Sequence, residues 1–147
     1  APIFVPVNKH GRQNAEYSRL FTEAFASDMP IVTFPAGLCS RRIRGEVTDL
    51  PWKPNFIRQA IANRRDVVPV FFSGELSNFF YRLSNARKFF GIKANIEMLY
   101  LVDEMFKQRG RSFTIRIGEP VAWEDFTDGQ RPQAWCEQIR RRAYALK

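Results

Sequence analysis

Apolar residues recur along the chain in short blocks of two kinds, and their spacing predicts strands alternating with helices. Ile3–Val7, Ile31–Phe34, Val67–Phe72 and Phe113–Ile117 are brief runs rich in β-branched or aromatic residues and read as strands. Between them the period lengthens to that of a helix. Asn14 caps a helix reaching about Ser27, with Tyr17, Leu20, Phe21, Ala24 and Phe25 on one face. Pro54 opens a second through Asn63, with Phe56, Ile57, Ala60 and Ile61 inward. Ser77 caps a third that ends at Gly91; Ala94 to Gln108 then place Ile96, Leu99, Val102 and Phe106 at near-helical spacing before Gly110 stops the run. A last helix, about Pro132 to Leu146, carries Trp135, Ile139, Ala143 and Leu146 inward. The alternation predicts an α/β fold, a mixed β-sheet flanked by helices, in a single domain over residues 1–147.

Composition narrows the partners. The 147 residues suffice for one sizeable core, and 23 Lys plus Arg against 15 Asp plus Glu give a net charge of +8. Such a surface attracts phosphates, anionic lipid headgroups or nucleic acid, and charge alone does not choose among them. Cys39 and Cys136 stand far apart, with no CxxC or second ligand cluster, so neither a disulfide framework nor a zinc site is supported and a reduced, cytosolic setting is expected. No apolar run approaches the roughly 18 residues that span a bilayer, so membrane contact is expected to be peripheral, on the inner face. The strand-like Pro2–Val7 opens the chain abruptly, which reads as a segment cut from a longer protein.

The stretch Ile31–Arg42, IVTFPAGLCSRR, carries the most chemistry: an apolar run stops at Pro-Ala-Gly and opens into a polar, then doubly basic turn. Ligands of α/β sheets bind at the carboxyl ends of strands, where backbone N–H groups converge. Gly37 permits close backbone approach, and Ser40, Arg41, Arg42 and Arg44 offer a hydroxyl and three guanidinium groups suited to a phosphate or carboxylate. The competing reading is a solvated basic loop. His10, beside Gly11, reads as an exposed imidazole in a turn. Cys39 lacks a neighbouring base for a nucleophile's role, and Cys136, next to Trp135, reads as packing. From Ser77 to Lys93, five aromatic rings interleave with Arg82, Arg87, Lys88 and Lys93, the composition of an interfacial helix, although Phe80, Leu83 and another ring are expected in the core.

Phe34, Pro35, Gly37 and Ser40 resemble the Phe-Pro-Glu-Gly-Thr-Arg-Ser block of the glycerolipid (lysophosphatidic acid type) acyltransferases, with Ala36, Leu38 and Cys39 departing from it. Val67, Val68, Pro69 and Val70 resemble that family's Val-Pro-hydrophobic block, and Ile117, Gly118, Glu119, Pro120 and Val121 its Ile-Gly-x-Pro-hydrophobic turn. Phe4–Val7 followed by Asn8 and Lys9 are similar to its second block. The resemblance implies the C-terminal portion of a membrane-associated O-acyltransferase that moves a fatty acyl group from an acyl carrier protein or coenzyme A thioester to a lipid hydroxyl. It places the acceptor headgroup on Lys9, Phe34, Pro35, Gly37, Ser40, Arg41, Arg42 and Arg44, and the acyl chain on Val68, Pro69 and Val70. No metal or organic cofactor is implied, and the implied partners are an anionic membrane surface and the donor thioester, with no specific nucleic acid.

The family's His-x-x-x-x-Asp pair is not matched, because Ala15 stands where His10 would need its Asp. The pair is therefore expected upstream of Ala1, and residues 1–147 alone are expected to bind without turning over. Ala36 and Cys39 replace a carboxylate and an arginine that arrange an acceptor phosphate in the family, so amino-acid lipids, whose headgroup ends in a carboxylate, become candidate acceptors, as in the branch of the family that holds hemolysin-named proteins. The alternatives are a nucleic-acid-binding module, although no RNP, KH, zinc-finger or helix-turn-helix pattern is present, and a noncatalytic lipid-binding module.

Overall fold

The computed structural model describes residues 15–147, with side chains from Arg19 onward. The expected strand Ile3–Val7, Lys9, His10 and the Asn14 cap lie outside the described residues. Helix α1 spans Ala15–Ala26, β1 Arg41–Ile43, β2 Glu46–Thr48, α2 Asn55–Asn63, β3 Val70–Phe72 and α3 Asn78–Phe89. A 3₁₀ helix, Ile96–Tyr100, runs directly into α4, Leu101–Phe106; β4, Ile115–Ile117, a second 3₁₀ helix, Trp123–Thr127, and α5, Pro132–Ala145, complete the order.

The single mixed sheet expected from the alternation is not what the described residues build. They form two separate antiparallel pairs, β1 with β2 and β3 with β4. Ile31–Phe34, expected as a strand, runs beside no described strand and leaves Val32 and Phe34 exposed, because a β run becomes a strand only where a neighbour completes its ladder. The hairpin of β1 and β2 was not anticipated. Its two-residue turn places Arg44 at φ 52° and Gly45 at φ 90°, the left-handed pair that matches the twist of a tight hairpin.

The β3–β4 ladder joins two of the segments singled out in the sequence. Val70 faces Ile117 and Phe72 faces Ile115, and the pairing continues through Gly118 N–H to the Pro69 carbonyl at 2.9 Å and the Val67–Val121 bridge. A Cβ on Gly118 would meet Pro69 Cγ at 3.1 Å and the Pro69 carbonyl at 3.3 Å, so the glycine lets the two segments close on each other.

Helices α2 and α5 hold the core. Ile57 and Ala60 from α2 pack with Trp135, Cys136 and Ile139 from α5, and with Val121 and Phe126; Phe126 and Trp135 meet edge to face at 5.2 Å. These are positions the helical period selects, with Cys136 added beside Trp135. The left-handed Arg64 ends α2, and the Arg65 N–H reaches back to the Ala60 carbonyl at 2.9 Å. Arg65 then donates to the carbonyls of Phe25, Ser27 and Met29, tying the end of α1 to α2.

One helix is turned inside out. Leu99, Val102 and Phe106, the apolar stripe that the near-helical spacing picks out, are exposed, while Glu97 and Glu104 are fully buried. Arg41 and Arg87 meet Glu97, and Ser77 and Lys107 meet Glu104; charge-assisted bonds to waiting donors outweigh burial of the apolar stripe. Among the described residues no helix is long and apolar enough to cross a membrane.

Candidate functional site

The extended segment before the Pro-Ala-Gly turn and the strand around β3 both line one cleft of about 920 Å³. Phe34, Pro35 and Ser40 contribute to its lining together with Val68, Pro69 and Val70, and with Ile139 and Ala143 of α5. A cleft of this size accommodates a small ligand or much of an acyl chain. The turn follows from its residues: Pro35 sits at the second position, the Gly37 N–H donates to the Phe34 carbonyl at 2.9 Å, and Gly37 itself is left-handed at φ 69°.

Asp49, which the sequence did not single out, organises the polar end. Its carboxylate accepts from the Ser40 hydroxyl at 2.5 Å and from Trp52 Nε1 at 2.9 Å, while its N–H donates to Tyr144 Oη at 2.8 Å. Ser40 therefore directs its proton to Asp49, and both residues line the cleft. No spacing signal marks Asp49; the signal is contextual, an acidic residue two before Pro51-Trp52 and after a hairpin.

The arginines do not converge as the sequence reading expected. Arg41 and Arg42 occupy successive strand positions, whose side chains point to opposite faces. Arg41, 1% exposed, lies inside: Nη2 donates to Glu97 Oε1 at 2.9 Å, Nη1 donates to the Cys39 carbonyl at 2.8 Å, and the guanidinium lies 5.4 Å from the Phe80 ring centre. It is a buttress beneath the loop rather than a contact for a ligand. Arg42 donates to Asn78 Oδ1 at 2.7 Å and covers the Tyr81 ring, and Arg44 stands exposed at the hairpin tip. None of the three lines the cleft, and neither does Gly37, which shapes the turn that borders it.

Among the described residues, the cations that do line the cleft are Arg65, Arg116 and Lys147. Arg116, on β4, also donates to the carbonyls of Leu146 and Lys147, both at 2.6 Å. Hydrophobic periodicity gave Arg65 and Arg116 no distinction, because their partners are backbone carbonyls remote in sequence.

Beneath the hairpin, Glu97 receives Arg87 Nε at 2.8 Å as well as Arg41, so one buried carboxylate holds two buried guanidinium groups. At Glu104, burial pushes the carboxyl up, but bonds from the Ser77 hydroxyl and N–H, both 2.6 Å, and from Lys107 prevail and hold it below the usual carboxylate range. Tyr81 is raised, chiefly by burial. Burial pushes the Cys136 thiol up to about 11, which leaves it unreactive; Cys39 is half-buried. Among the described residues no group of His, Cys, Asp and Glu is arranged to hold a metal ion.

The chain is 47% identical over 146 residues to a lyso-glycine lipid O-acyltransferase of Bacteroides thetaiotaomicron, covering 99% of this chain and 54% of that protein. It is also 47% identical over 146 residues to a lyso-glycine lipid O-acyltransferase of Phocaeicola vulgatus, covering 52% of that protein. The chain thus spans about half the length of these relatives. No solved structure matches it. A family model described as Acyltransferase matches residues 1–147, and with the two relatives it shows that the chain belongs to the acyltransferase family.

Proposed function

We propose that the cleft is the lipid-binding part of an O-acyltransferase that esterifies the hydroxyl of a lyso-glycine lipid with a fatty acyl group from an acyl carrier protein or coenzyme A thioester. The observation that carries this reading is that Phe34 and Pro35 line the same largely apolar cleft as Val68, Pro69 and Val70. Ala36 and Cys39 support a carboxylate acceptor over a phosphate one, and the names of the two relatives agree with it. In this reading the valines take the acyl chain. Ser40, ordered by Asp49, and the cations Arg116 and Lys147 face the acceptor's polar end.

The acceptor hydroxyl attacks the thioester carbonyl, a carbon–oxygen bond replaces the carbon–sulfur bond, and the proton passes through a histidine base to the leaving thiolate. That histidine belongs to a His-x-x-x-x-Asp pair upstream of Ala1, so residues 1–147 alone bind lipid without turnover, Lys9 contributes to holding the headgroup, and no metal or organic cofactor takes part. The protein works as a single acyltransferase domain at the inner face of the membrane.

The test is an acyl-transfer assay of the gene's full-length product with acyl-carrier-protein and coenzyme A donors, offered lyso-glycine lipid, lyso-ornithine lipid and lysophosphatidic acid. Ester formation on the lyso-glycine lipid is expected. Transfer to lysophosphatidic acid alone would remove the carboxylate acceptor, and absence of transfer to any of the three would remove the enzyme.

A further inference from the structure

The Ile96–Phe106 segment buries its carboxylates and exposes its apolar side. Along it Glu97 and Glu104 are seven positions apart and share the inner face, whereas Leu99, Val102 and Phe106 fall on the opposite one. Their exposures are 81%, 63% and 67%. Phe89 and Phe90, at the end of the neighbouring α3, are also exposed and meet edge to face at 5.3 Å. In water, an arrangement with acids inside and leucine, valine and phenylalanine outside is the reverse of what burial favours, and an apolar group of this kind marks a contact surface.

The exposed charges along this stretch of chain are one-sided. Between residues 78 and 111 the exposed cations are Arg82, Lys88, Lys93, Lys107, Arg109 and Arg111, and the one exposed carboxylate, Asp103, is paired with Lys107 at 2.6 Å. Glu97 and Glu104, the remaining acids of the stretch, are buried and neutralised by their partners. Side chains that insert apolar groups among cations meet both layers of an anionic bilayer surface, the acyl boundary and the headgroups.

We propose that the Leu99, Val102 and Phe106 stripe, together with the exposed Phe89 and Phe90 and the exposed cations Lys88, Lys93, Arg109 and Arg111 of the same stretch, is the surface on which this protein docks to anionic lipid. It deepens the acyltransferase reading by naming where the enzyme meets the membrane that holds its acceptor. Binding to vesicles is measured without turnover, so failure of one reading is separable from failure of the other.

The experiment is co-sedimentation of the full-length gene product with phosphatidylcholine vesicles and with vesicles that also contain phosphatidylglycerol, compared with the variant Leu99→Ser/Val102→Ser/Phe106→Ser. Preference for the anionic vesicles is expected, and a loss of affinity in the variant on the order of tenfold or more, given the apolar surface withdrawn, with the melting temperature unchanged. A second probe, Val102→Trp, is expected to add blue-shifted emission that brominated lipid quenches. Unchanged vesicle binding by the triple variant, or no quenching of the added tryptophan, overturns the proposal. A lowered melting temperature with no quenching means the stripe packs against the rest of the protein, and loss of acyl carrier protein affinity with vesicle binding intact assigns the face to that acidic protein; either result also overturns it.

Discussion

Replacing Glu97 by alanine is expected to be among the most destabilising single changes in the chain. Its carboxylate is fully buried and accepts from Arg41 Nη2 at 2.9 Å, Arg87 Nε at 2.8 Å and Arg87 Nη2 at 3.3 Å. Arg41 is 1% exposed and Arg87 7%, so Glu97→Ala leaves two like charges facing each other away from water. Removing one partner of a buried ion pair costs about 3–5 kcal/mol, against a total stability of about 5–15 kcal/mol for a domain. At roughly 2–4 °C per kcal/mol for a chain of this size, the melting temperature falls by about 6–20 °C.

Urea unfolding of the full-length product measures the change, read as a shift in midpoint at constant slope. The ion triad also supplies its own control. Replacing Glu97, Arg41 and Arg87 together by leucine and methionine side chains removes the stranded charges and is expected to recover part of the loss, because an apolar substitute for a buried ion cluster is often neutral or better, while the carbonyls of Cys39, Ser40 and Ile92 lose the bonds that the two arginines make. A loss below about 1 kcal/mol for Glu97→Ala would refute the reasoning, and so would a triple variant less stable than the single one. Since Arg41 anchors β1 through the same carboxylate, Arg41→Ala is expected to act through stability rather than through a lost ligand contact.

Glu104→Gln lowers stability at neutral pH: the folded carboxyl titrates below its unfolded value, so its contribution is complete above about pH 4.3 and disappears as pH falls through the folded value. The stability gap between wild type and Glu104→Gln, followed by denaturation across acidic pH, is therefore expected to narrow on acidification, and a constant gap would contradict it. Gly118→Val forces a branched side chain against Pro69 and Leu146, whose nearest atoms lie 3.1 Å and 3.2 Å from the position of a Cβ, and is expected to cost about 1–3 kcal/mol in urea unfolding. Val70→Trp fills part of the cleft and is expected to shift acyl preference toward shorter chains in a competition assay of mixed donors, with the acceptor KM unchanged.

Local signals carried the elements whose partners are near in sequence or whose faces meet the core. Ser77 caps α3 as its position implies, accepting from the Phe80 N–H at 3.3 Å, and the inward residues of α2 and α5 are those of the helical period. In the candidate site, the turn at Phe34–Gly37 and the Val-Pro-Val segment were legible, and the cleft brings Phe34, Pro35 and Ser40 to Val68, Pro69 and Val70. The arginine cluster was not, because counting cations within a loop ignores the strand pleat that sends Arg41 inward and Arg42 to the other face. A glycine after Arg44 was the available hint of that hairpin.

By itself the sequence determined the mixture of helices and short strands, the acyltransferase family and most helix boundaries, since periodicity, caps and motifs are local properties of a chain. Only the tertiary structure decided which face of the Ile96–Phe106 segment points inward, that Arg41 supports the loop from within, and that Asp49 orders Ser40. The first two of those outcomes are a competition between solvation and a charge-assisted bond to a group far away in sequence: Glu97 with Arg41 across 56 positions, Glu104 with Ser77 across 27. Hydrophobic pattern alone assigns the apolar stripe to the interior; the distant donors reverse that assignment.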